Sequence, residues 1–323
     1  MSLPLPPGDR PALLLIVGPT ASGKTDLALE VAERLAAEIL CADSVQVYRY
    51  LDIGSGKATP AERARVPHHG LDLVDPDEPF DAQRYQEAAD RAIADITRRG
   101  RRVVVTAGTG LYVRSLLRGL LPAPRASAAL RQDLLARAGG DPATLHAQLA
   151  AVDPVLAARL HPRDQPRLLR GLEVFAQTGV PLSTLQENHA RGQPRYPSLQ
   201  VGLRWPRAAL RQRIAERCRA MIAAGLPAEV EELQRRGYGP ELHARRALGY
   251  LQQGLRLQGV LGATEALEQQ ILQTQRYAKR QITWFGADPE VVWLDAPPDP
   301  AAVLHLAATR LGWQPRDRAA QGG

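Results

Sequence analysis

An apolar run, a glycine-rich loop and a helical pattern follow one another near the start of the chain, and together they restrict the fold strongly. Ala12 to Val17 is continuously apolar, as in a strand buried within a parallel sheet. The loop Gly18-Pro-Thr-Ala-Ser-Gly-Lys-Thr25 then matches G-x-x-x-x-G-K-[ST], and a helical pattern runs from Asp26 to Ala37. In that context, backbone N–H groups of the loop and of the helix N-terminus bind phosphate oxygens. The sequence therefore predicts a site for a diphosphate or triphosphate group.

Every position of this loop is predicted to take part in phosphate binding. The predicted set is Gly18, Pro19, Thr20, Ala21, Ser22, Gly23, Lys24 and Thr25. Lys24 supplies a compact positive charge, and the hydroxyl of Thr25 is placed to hold Mg²⁺, which is the predicted cofactor. The motif alone does not distinguish between substrates that carry such a group.

Strand–loop–helix units recur after the loop. Further strands are predicted at Glu38–Ala42, Leu71–Leu73 and Arg102–Thr106, and helices at Pro60–Val66 and Ala82–Arg98. This alternation is typical of an α/β protein with a doubly wound parallel sheet. After about Gly119 the pattern becomes helical and arginine-rich, until a predicted strand at Leu199–Trp205 returns the chain to the core.

These patterns predict a P-loop NTPase-like core that is interrupted by an all-helical insert. We place the core at 11–120 and 196–313, the insert at 121–195, a flexible leader at 1–10 and a disordered tail at 314–323. The second part of the core is predicted to contain a long arginine-rich helix at Pro206–Ala224 and a last strand at Val291–Leu294.

The charge balance is compatible with a nucleic-acid partner but does not require one. Lys+Arg number 41 against 34 Asp+Glu, a formal net charge of +7. Clustered basic residues would indicate nucleic-acid binding, whereas general enrichment in arginine would not. The only lysines are Lys24, Lys57 and Lys279, which suggests that a compact point charge matters at these three positions.

We expect a cytoplasmic monomer that does not bind membranes. The chain begins with no basic n-region, and no stretch approaches the roughly 18 apolar residues of a membrane span. Cys41 and Cys218 are too few for a disulfide framework or a Cys-rich zinc site.

The acidic residue that accompanies the loop is unusual in its position. An ordinary NTPase has a Mg²⁺-binding acid after an apolar strand, but Arg102–Thr106 is followed by Ala-Gly-Thr-Gly. The acid instead follows the second strand, in Asp43-Ser-Val-Gln-Val-Tyr-Arg. Asp43 could be a Mg²⁺ ligand, a general base or a helix N-cap.

Five blocks together resemble the bacterial tRNA dimethylallyltransferases, also called tRNA isopentenyltransferases. They are Gly18–Thr25, Asp43–Arg49, Leu51-Asp-Ile-Gly-Ser-Gly-Lys57, Ala107-Gly-Thr-Gly-Leu-Tyr112 and Ala278-Lys-Arg-Gln-Ile-Thr-Trp284. The resemblance runs from Leu13 to about Leu294, and all three lysines fall inside the blocks. It implies transfer of a dimethylallyl group from its diphosphate to the exocyclic nitrogen of the adenosine 3′ to the anticodon.

The resemblance also implies roles for individual residues. The P-loop, Lys24 and Thr25-bound Mg²⁺ would hold a diphosphate that acts as leaving group. Asp43 would orient the adenine amino group and take its proton. Thr109 and Arg217 would stabilise the departing diphosphate. Arg217 could equally be a solvated arginine of the long helix.

The predicted partner is the anticodon stem-loop of tRNA, whose target adenine must be extruded into a pocket. Asp43, Ser44, Val45 and Gln46 would read the extruded base. Further contacts implied by the resemblance are Thr109, Arg131, Pro166, Arg167, Leu168, Leu169, Arg170, Gly249, Tyr250, Gln252, Thr274, Lys279, Arg280 and Gln281. The chain departs from the family pattern at Leu251, where a cation is usual, at Ala107, and in the order Gln165-Pro166. These departures affect individual tRNA contacts and leave the catalytic set unchanged.

Three alternatives remain open at this point. A small-molecule or nucleoside kinase would explain the loop but not the arginine-rich insert. An isopentenyltransferase acting on free AMP would share the chemistry without needing that insert. A non-catalytic RNA-binding module with a relic loop would not need Lys24, Thr25, Asp43 and Thr109 together.

Overall fold

The computed structural model describes residues 10–121, 123–124, 127–190 and 192–316. The predicted leader up to residue 9 and the predicted tail from residue 317 lie outside the described residues. The chain divides into two compact units, one formed by the residues up to Leu117 and from Arg195 onward, the other by Arg118–Pro194. The predicted insert had been placed at 121–195.

A single parallel sheet forms the centre of the first unit. Its strands are β1 (Leu13–Val17), β2 (Ala37–Ala42), β3 (His68–His69), β4 (Arg102–Ala107), β5 (Ser198–Arg204) and β6 (Val291–Asp295). They lie in the order β3-β2-β4-β1-β5-β6, and every pairing is parallel. β1 is central, with Leu13 opposite Val103 on one side and Ser198 on the other. The α/β class and the parallel sheet are as predicted.

Nine helices belong wholly or mainly to this unit among the described residues. They are α1 (Lys24–Leu35), α2 (Pro60–Arg65), α3 (Ala82–Arg98), α4 (Gly110–Arg118), and, after the insert, α10 (Arg207–Ala223), α11 (Leu226–Arg235), α12 (Tyr250–Leu257), α13 (Ala263–Gly286) and α14 (Pro300–Leu311). α1 and α14 pack in one apolar cluster with Leu14 and Ile16 of β1. Leu13, Leu15 and Val17 point to the opposite face and are also fully buried, so the sheet is covered on both faces.

The predicted strand at Leu71–Leu73 is wrong. The pairing with β2 ends at His69, and Gly70 follows with a φ of +80°. Asp72 also has a positive φ, +54°, and uses its carboxylate to bind Lys57 and Arg63. A segment with left-handed residues cannot continue an extended strand.

The predicted disorder of the tail does not hold for its first three residues. The backbone N–H of Arg316 donates to Arg34 O at 2.8 Å. Arg102 donates to Gln314 O at 2.8 Å and lies over the ring of Trp313 at 5.5 Å.

The second unit is helical throughout its described residues. Its helices are α5 (Ala128–Arg137), α6 (Pro142–Val152), α7 (Pro154–Arg159), α8 (Gln165–Thr178) and α9 (Leu182–Ala190). Leu145, Leu149 and Leu168 are fully buried in a core of its own. Asp153 ties α7 to α9, because its carboxylate accepts from Leu156 N and from both the N–H and the hydroxyl of Ser183. This unit therefore has the core and the internal hydrogen bonds of a separate domain.

Candidate active site

The glycine-rich loop has the backbone geometry of a phosphate-binding loop. Gly18, Ala21 and Gly23 have φ values of +146°, +63° and +86°, and α1 begins at Lys24. A Cβ at Gly18 would lie 3.3 Å from Leu203 O on β5, so the loop leaves the sheet against a neighbouring strand. Two side chains hold the far side of the loop, since Trp205 Nε1 donates to Ser22 O at 3.0 Å and Arg213 Nε donates to Ala21 O at 2.9 Å.

Gln281 braces this loop against the loop after β4. The amide oxygen of Gln281 accepts from Thr20 N at 2.8 Å, and its amide nitrogen donates to Gly108 O at 2.8 Å. Gln281 is only 5% exposed, and both ends of its amide are engaged within the protein. The predicted tRNA contact of Gln281 stays a prediction, and the contacts observed favour a role in positioning the two loops.

A cavity of about 390 Å³ lies at the carboxyl ends of β1, β2 and β4, where parallel sheets commonly bind ligands. Of the residues predicted to react or to bind the donor, it brings together Thr20, Lys24, Thr25, Asp43 and Arg217. Its lining includes Thr20, Lys24, Thr25, Asp43, Ser44, Val45, Gln46, Gly54, Ser55, Gly56, Gly108, Arg217, Thr274, Tyr277, Arg280 and Gln281. The sheet topology produces this meeting, because β4 and β2 lie successively beside β1.

Lys24 and Arg217 give the cavity an excess of positive charge. Lys24 Nζ donates to Pro19 O at 2.7 Å, and neither cation forms an ion pair within the described part of the chain. Burial, reinforced by the nearby charge of Arg217, lowers the pKa of Lys24 to about 7, although Asp43 opposes the shift. Burial likewise lowers the pKa of Arg217, again opposed by Asp43. Two neighbouring cations with one carboxylate nearby favour binding of an anion with more than one charge.

We expect the buried cation at Lys24 to make the stability of the ligand-free protein depend on pH. The pKa of Lys24 falls from 10.5 to about 7 on folding, so the unfolded chain binds more protons between these values. The free energy of unfolding should therefore rise as pH increases from about 7 to 10.5. Lys24→Met removes this contribution, so the variant's stability advantage should be largest below pH 7 and shrink as pH rises. Chemical denaturation of both proteins across this range tests the expectation, and a pH-independent difference would contradict it.

Asp43 acts as a cap in the structure, but it caps a turn and not a helix, and its roles as general base or Mg²⁺ ligand stay predictions. Its Oδ1 accepts from Val45 N at 2.8 Å and from Gln46 N at 3.3 Å, which caps the turn that follows β2. Its Oδ2 accepts no hydrogen bond within the described part of the chain and lies close to Gly108, in the cavity wall. One carboxylate oxygen thus fixes the orientation of the side chain, and the other is available to a substrate.

Thr109 contacts the Asp43 turn and does not line the cavity. Its hydroxyl oxygen accepts from Ser44 N at 3.0 Å, and the hydroxyl donates to Ser44 Oγ at 3.3 Å. The backbone of the same loop is tied to β2, since Thr109 N donates to Ala42 O at 3.1 Å. The predicted contact of Thr109 with diphosphate stays a prediction, and the observed hydrogen bonds indicate that Thr109 orients Ser44, the residue that follows Asp43.

Tyr277 is a cavity residue that the sequence analysis missed. It lies one helical turn before Gln281 on α13, and its hydroxyl donates to Gly108 O at 3.4 Å. Burial, together with the charge of Asp43, raises the pKa of the phenol, so Tyr277 stays protonated beside the carboxylate. The spacing of four residues from Gln281 was the available signal, because such pairs share a helix face.

Gly54, Ser55 and Gly56 form another wall of the cavity, and Lys57 anchors the segment that contains them. Lys57 Nζ donates to Tyr48 O at 2.8 Å, to Asp52 Oδ1 at 2.5 Å and to Asp72 Oδ1 at 2.7 Å. Its side chain is 1% exposed. Three oxygens around one buried ammonium explain why lysine occupies this position, since the wider planar group of arginine donates in a different geometry.

The predicted tRNA-contact residues of α12 are enclosed by the protein. Tyr250 is fully buried, and its hydroxyl donates to Glu229 and accepts from Ser55 N. Gln252 is 3% exposed and accepts from Gly249 N at 2.9 Å, which caps α12. Contacts of Gly249, Tyr250 and Gln252 with tRNA stay predictions, because the Gly249 N–H and the side chains of Tyr250 and Gln252 are engaged within the fold.

Three predicted contacts on α13 lie in different surroundings. Thr274 lines the cavity, and its hydroxyl donates to Gln270 O at 2.7 Å. Lys279 and Arg280 are exposed, and Arg280 also lines the cavity and lies over the Tyr277 ring at 5.5 Å. Lys279 and Arg280 are therefore available to a polyanion, whereas Thr274 faces the interior of the site.

In the second unit the predicted contacts divide between surface and core. Pro166 and Arg167 are exposed, whereas Leu168 and Leu169 are buried in the core of that unit. Arg131 Nε donates to the buried Glu173 carboxylate at 2.6 Å, and Arg170 donates to Pro124 O at 2.8 Å. Leu168 and Leu169 thus contribute packing, whereas contacts of Arg131, Pro166, Arg167 and Arg170 with tRNA stay predictions.

The metal-binding prediction rests on Thr25 alone among protein side chains. No group of three or more His, Cys, Asp or Glu side chains among the described residues could hold a metal ion. Thr25 lines the cavity beside Lys24, and its hydroxyl has no protein partner in the described structure. This donor set fits Mg²⁺, which commonly takes one protein oxygen together with substrate phosphates and waters.

Fold and site together define a P-loop α/β protein with a cationic cavity. The cavity contains the Asp43 carboxylate, of which only Oδ1 is hydrogen-bonded within the described part of the chain. The IPP transferase family model matches residues 46–288, and the isopentenyl transferase model matches residues 11–69. This chain belongs to the IPP transferase family, that of the tRNA dimethylallyltransferases, as its motifs had indicated. No helix among the described residues is long and apolar enough to cross a membrane.

The similar proteins match over at least 90% of this chain. tRNA dimethylallyltransferase 1 of Pelobacter propionicus is 47% identical over 91% of this chain and 96% of its own length. The tRNA dimethylallyltransferase of Geobacter metallireducens is also 47% identical, over 90% and 94%. A tRNA delta(2)-isopentenylpyrophosphate transferase structure from Staphylococcus epidermidis has a TM-score of 0.69 at 33% identity, covering 94% of this chain and 99% of that chain. A eukaryotic dimethylallyltransferase acting on tRNA has a TM-score of 0.75 at 25% identity, covering 94% and 77%.

Proposed function

We propose that this protein transfers a dimethylallyl group from dimethylallyl diphosphate to tRNA. The acceptor is the N6 amino group of the adenosine immediately 3′ of the anticodon, in tRNAs that read codons beginning with U. The products are N6-isopentenyladenosine and diphosphate. The observation that supports this most directly is one cavity that contains the cations Lys24 and Arg217 together with the free Oδ2 of Asp43.

The charged groups of the cavity lie where charge changes during the reaction. The bond between C1 of the dimethylallyl group and the diphosphate oxygen breaks, and negative charge accumulates on the leaving group. Lys24, Arg217 and the N–H groups at the start of α1 stabilise that charge. A bond forms between C1 and N6, and the proton released from N6 passes to Asp43 Oδ2.

Precise positioning of the reacting groups supplies much of the rate acceleration of prenyl transfer, because an aromatic amine is a weak nucleophile. Asp43 is held by its own turn and by the Thr109–Ser44 contact, so Oδ2 points into the cavity without reorganisation. Val45 and Gln46 line the same wall and are placed to contact the extruded adenine. Mg²⁺, held by Thr25 and the diphosphate, would neutralise part of the leaving-group charge.

A single incubation tests donor, acceptor and reaction. The purified protein is mixed with Mg²⁺, an unmodified tRNA transcript whose anticodon ends in A, and dimethylallyl diphosphate labelled in the prenyl group. We expect the label to enter tRNA at the adenosine after the anticodon, with release of diphosphate. Label entering free AMP but not tRNA would refute the tRNA substrate, and transfer of an ATP γ-phosphate without any prenylation would refute the reaction class.

We expect Arg167→Ala to weaken tRNA binding through loss of a phosphate contact. The Arg167 side chain is 69% exposed at the start of α8, within 3.3 Å of a single carboxylate, that of Asp164. The dependence of log Kd on log[salt] should become shallower by about one unit. Arg98→Ala on α3, an exposed arginine outside the predicted contacts, is the matched control. An unchanged slope for Arg167→Ala would show that Arg167 touches no phosphate.

A further inference from the structure

Glu229 makes more hydrogen bonds to a cavity wall than any role assigned above explains. It lies in the first turn of α11. Its Oε2 accepts from the backbone N–H groups of Asp52 at 3.2 Å and Ile53 at 2.8 Å. Its Oε1 accepts from Gly54 N at 3.3 Å and from the Tyr250 hydroxyl at 2.6 Å. Three successive N–H groups that converge on one carboxylate form an anion nest, here filled by the protein itself.

The segment bound by Glu229 leads directly to two residues of the proposed site. Gln46 Nε2 donates to Ser55 O and to Gly56 O, each at 3.2 Å. The guanidinium of Arg217 packs directly on Gly56, where no Cβ could be accommodated without displacing it. Residues 54–56 also line the cavity. A displacement of this segment would therefore move both the Gln46 amide and the surface that supports Arg217.

We propose that Glu229 is a positioning residue for prenyl transfer, acting through the 54–56 segment on Arg217 and Gln46. The proposal rests on the function proposed above. Lys57 holds the other end of the segment, through Asp52 Oδ1 and Tyr48 O, so the segment keeps an anchor when Glu229 is changed. Glu229 sets where the segment lies against Arg217. Tyr250 supports the same segment, since its hydroxyl also donates to the Glu229 carboxylate and its ring packs against Gly54.

The first test is Glu229→Gln, which keeps the shape but points an amide N–H₂ at groups that are themselves donors. We expect kcat for prenyl transfer to fall at least about tenfold, because small misplacements of catalytic groups carry large rate losses. The Kd for tRNA should stay within about twofold, since phosphate contacts dominate that affinity. Glu231→Gln, two residues along the same helix and exposed, is the matched control and should keep the wild-type kcat. Tyr250→Phe, which removes one of the four hydrogen bonds, replaces Glu229→Gln if that variant does not fold.

A double-mutant cycle separates positioning from a general effect on the fold. Arg217→Lys keeps the charge but loses the planar group that lies on Gly56. If Glu229 acts through Arg217, the loss of kcat caused by Glu229→Gln should be at least about threefold smaller in the Arg217→Lys background. Equal fold-losses in both backgrounds, or wild-type kcat in Glu229→Gln, would overturn the positioning role. Absence of prenyl transfer by the wild-type protein would instead refute the proposed function.

Discussion

Asp43→Ala should abolish measurable prenyl transfer while the protein still binds tRNA. General-base catalysis contributes about 10²–10⁴-fold to a rate, and the substitution also removes the group that orients the adenine amine. Affinity for tRNA should fall by less than about tenfold, because phosphate contacts elsewhere on the protein dominate binding. Single-turnover transfer with saturating donor and a separate tRNA-binding titration measure the two effects.

Asp43→Asn distinguishes the proposed role of Asp43 as general base from its role in capping the turn after β2. The carbonyl oxygen of asparagine can still accept from Val45 N and Gln46 N, so the turn after β2 should persist. An uncharged NH₂ group then takes the place of Oδ2 and cannot accept a proton. We therefore expect the Asn variant to be as inactive as the Ala variant but more stable to heat. Asp26→Asn, at an exposed position in the first turn of α1, is the control that should keep activity. Wild-type rates in Asp43→Asn would exclude Asp43 as the base.

Lys24→Ala should weaken binding of dimethylallyl diphosphate and leave tRNA binding unchanged. Hydrogen bonds to charged groups contribute about 1.5–3 kcal/mol each, so the KM for dimethylallyl diphosphate should rise at least about tenfold. The loss should be larger than that of a surface cation because Lys24 acts in a partly buried site beside Arg217. Inhibition by inorganic diphosphate should weaken in parallel, which distinguishes a diphosphate contact from a general loss of activity.

Arg213→Ala is a useful comparison for Lys24→Ala. Arg213 holds the outer side of the same loop through Ala21 O and lies over Trp205 at 4.4 Å, but it does not line the cavity. Its removal should loosen the loop and raise the KM for the donor less than Lys24→Ala does. Normal donor and tRNA binding in Lys24→Ala would mean that the glycine-rich loop is not the diphosphate site.

Buried polar side chains that hold loops of the site in place are the part of the site that the sequence did not reveal. Gln281 and Tyr250 were predicted to contact tRNA because the family resemblance implies such contacts at these positions. In the structure Gln281 joins two loops and Tyr250 supports a cavity wall. A polar residue in a shared motif has the same appearance in sequence whether it contacts a substrate or holds a loop that does. The role in holding a loop depends on partners that are distant in sequence, 173 residues away for Gln281 and Gly108, so the sequence did not show it.

Local patterns determined the elements and the chemistry of the loop. Continuous apolar runs predicted β1, β2 and β4, and the spacing from Gly18 to Thr25 predicted the phosphate site, because these depend on neighbours in the chain. The strand predicted at Leu71–Leu73 failed for the opposite reason, since Asp72 has a positive φ and its carboxylate binds Lys57, outside the local pattern.

Tertiary contacts decided the rest, above all which residues surround the loop. The order β3-β2-β4-β1-β5-β6 brings Asp43 and Gly108 beside Lys24, and α10 adds Arg217 from nearly two hundred residues away. The lowered pKa of Lys24, the free Oδ2 of Asp43 and the four hydrogen bonds of Glu229 all arise from such neighbours. Burial and charge act through space, so these properties exist only once the distant segments have packed together.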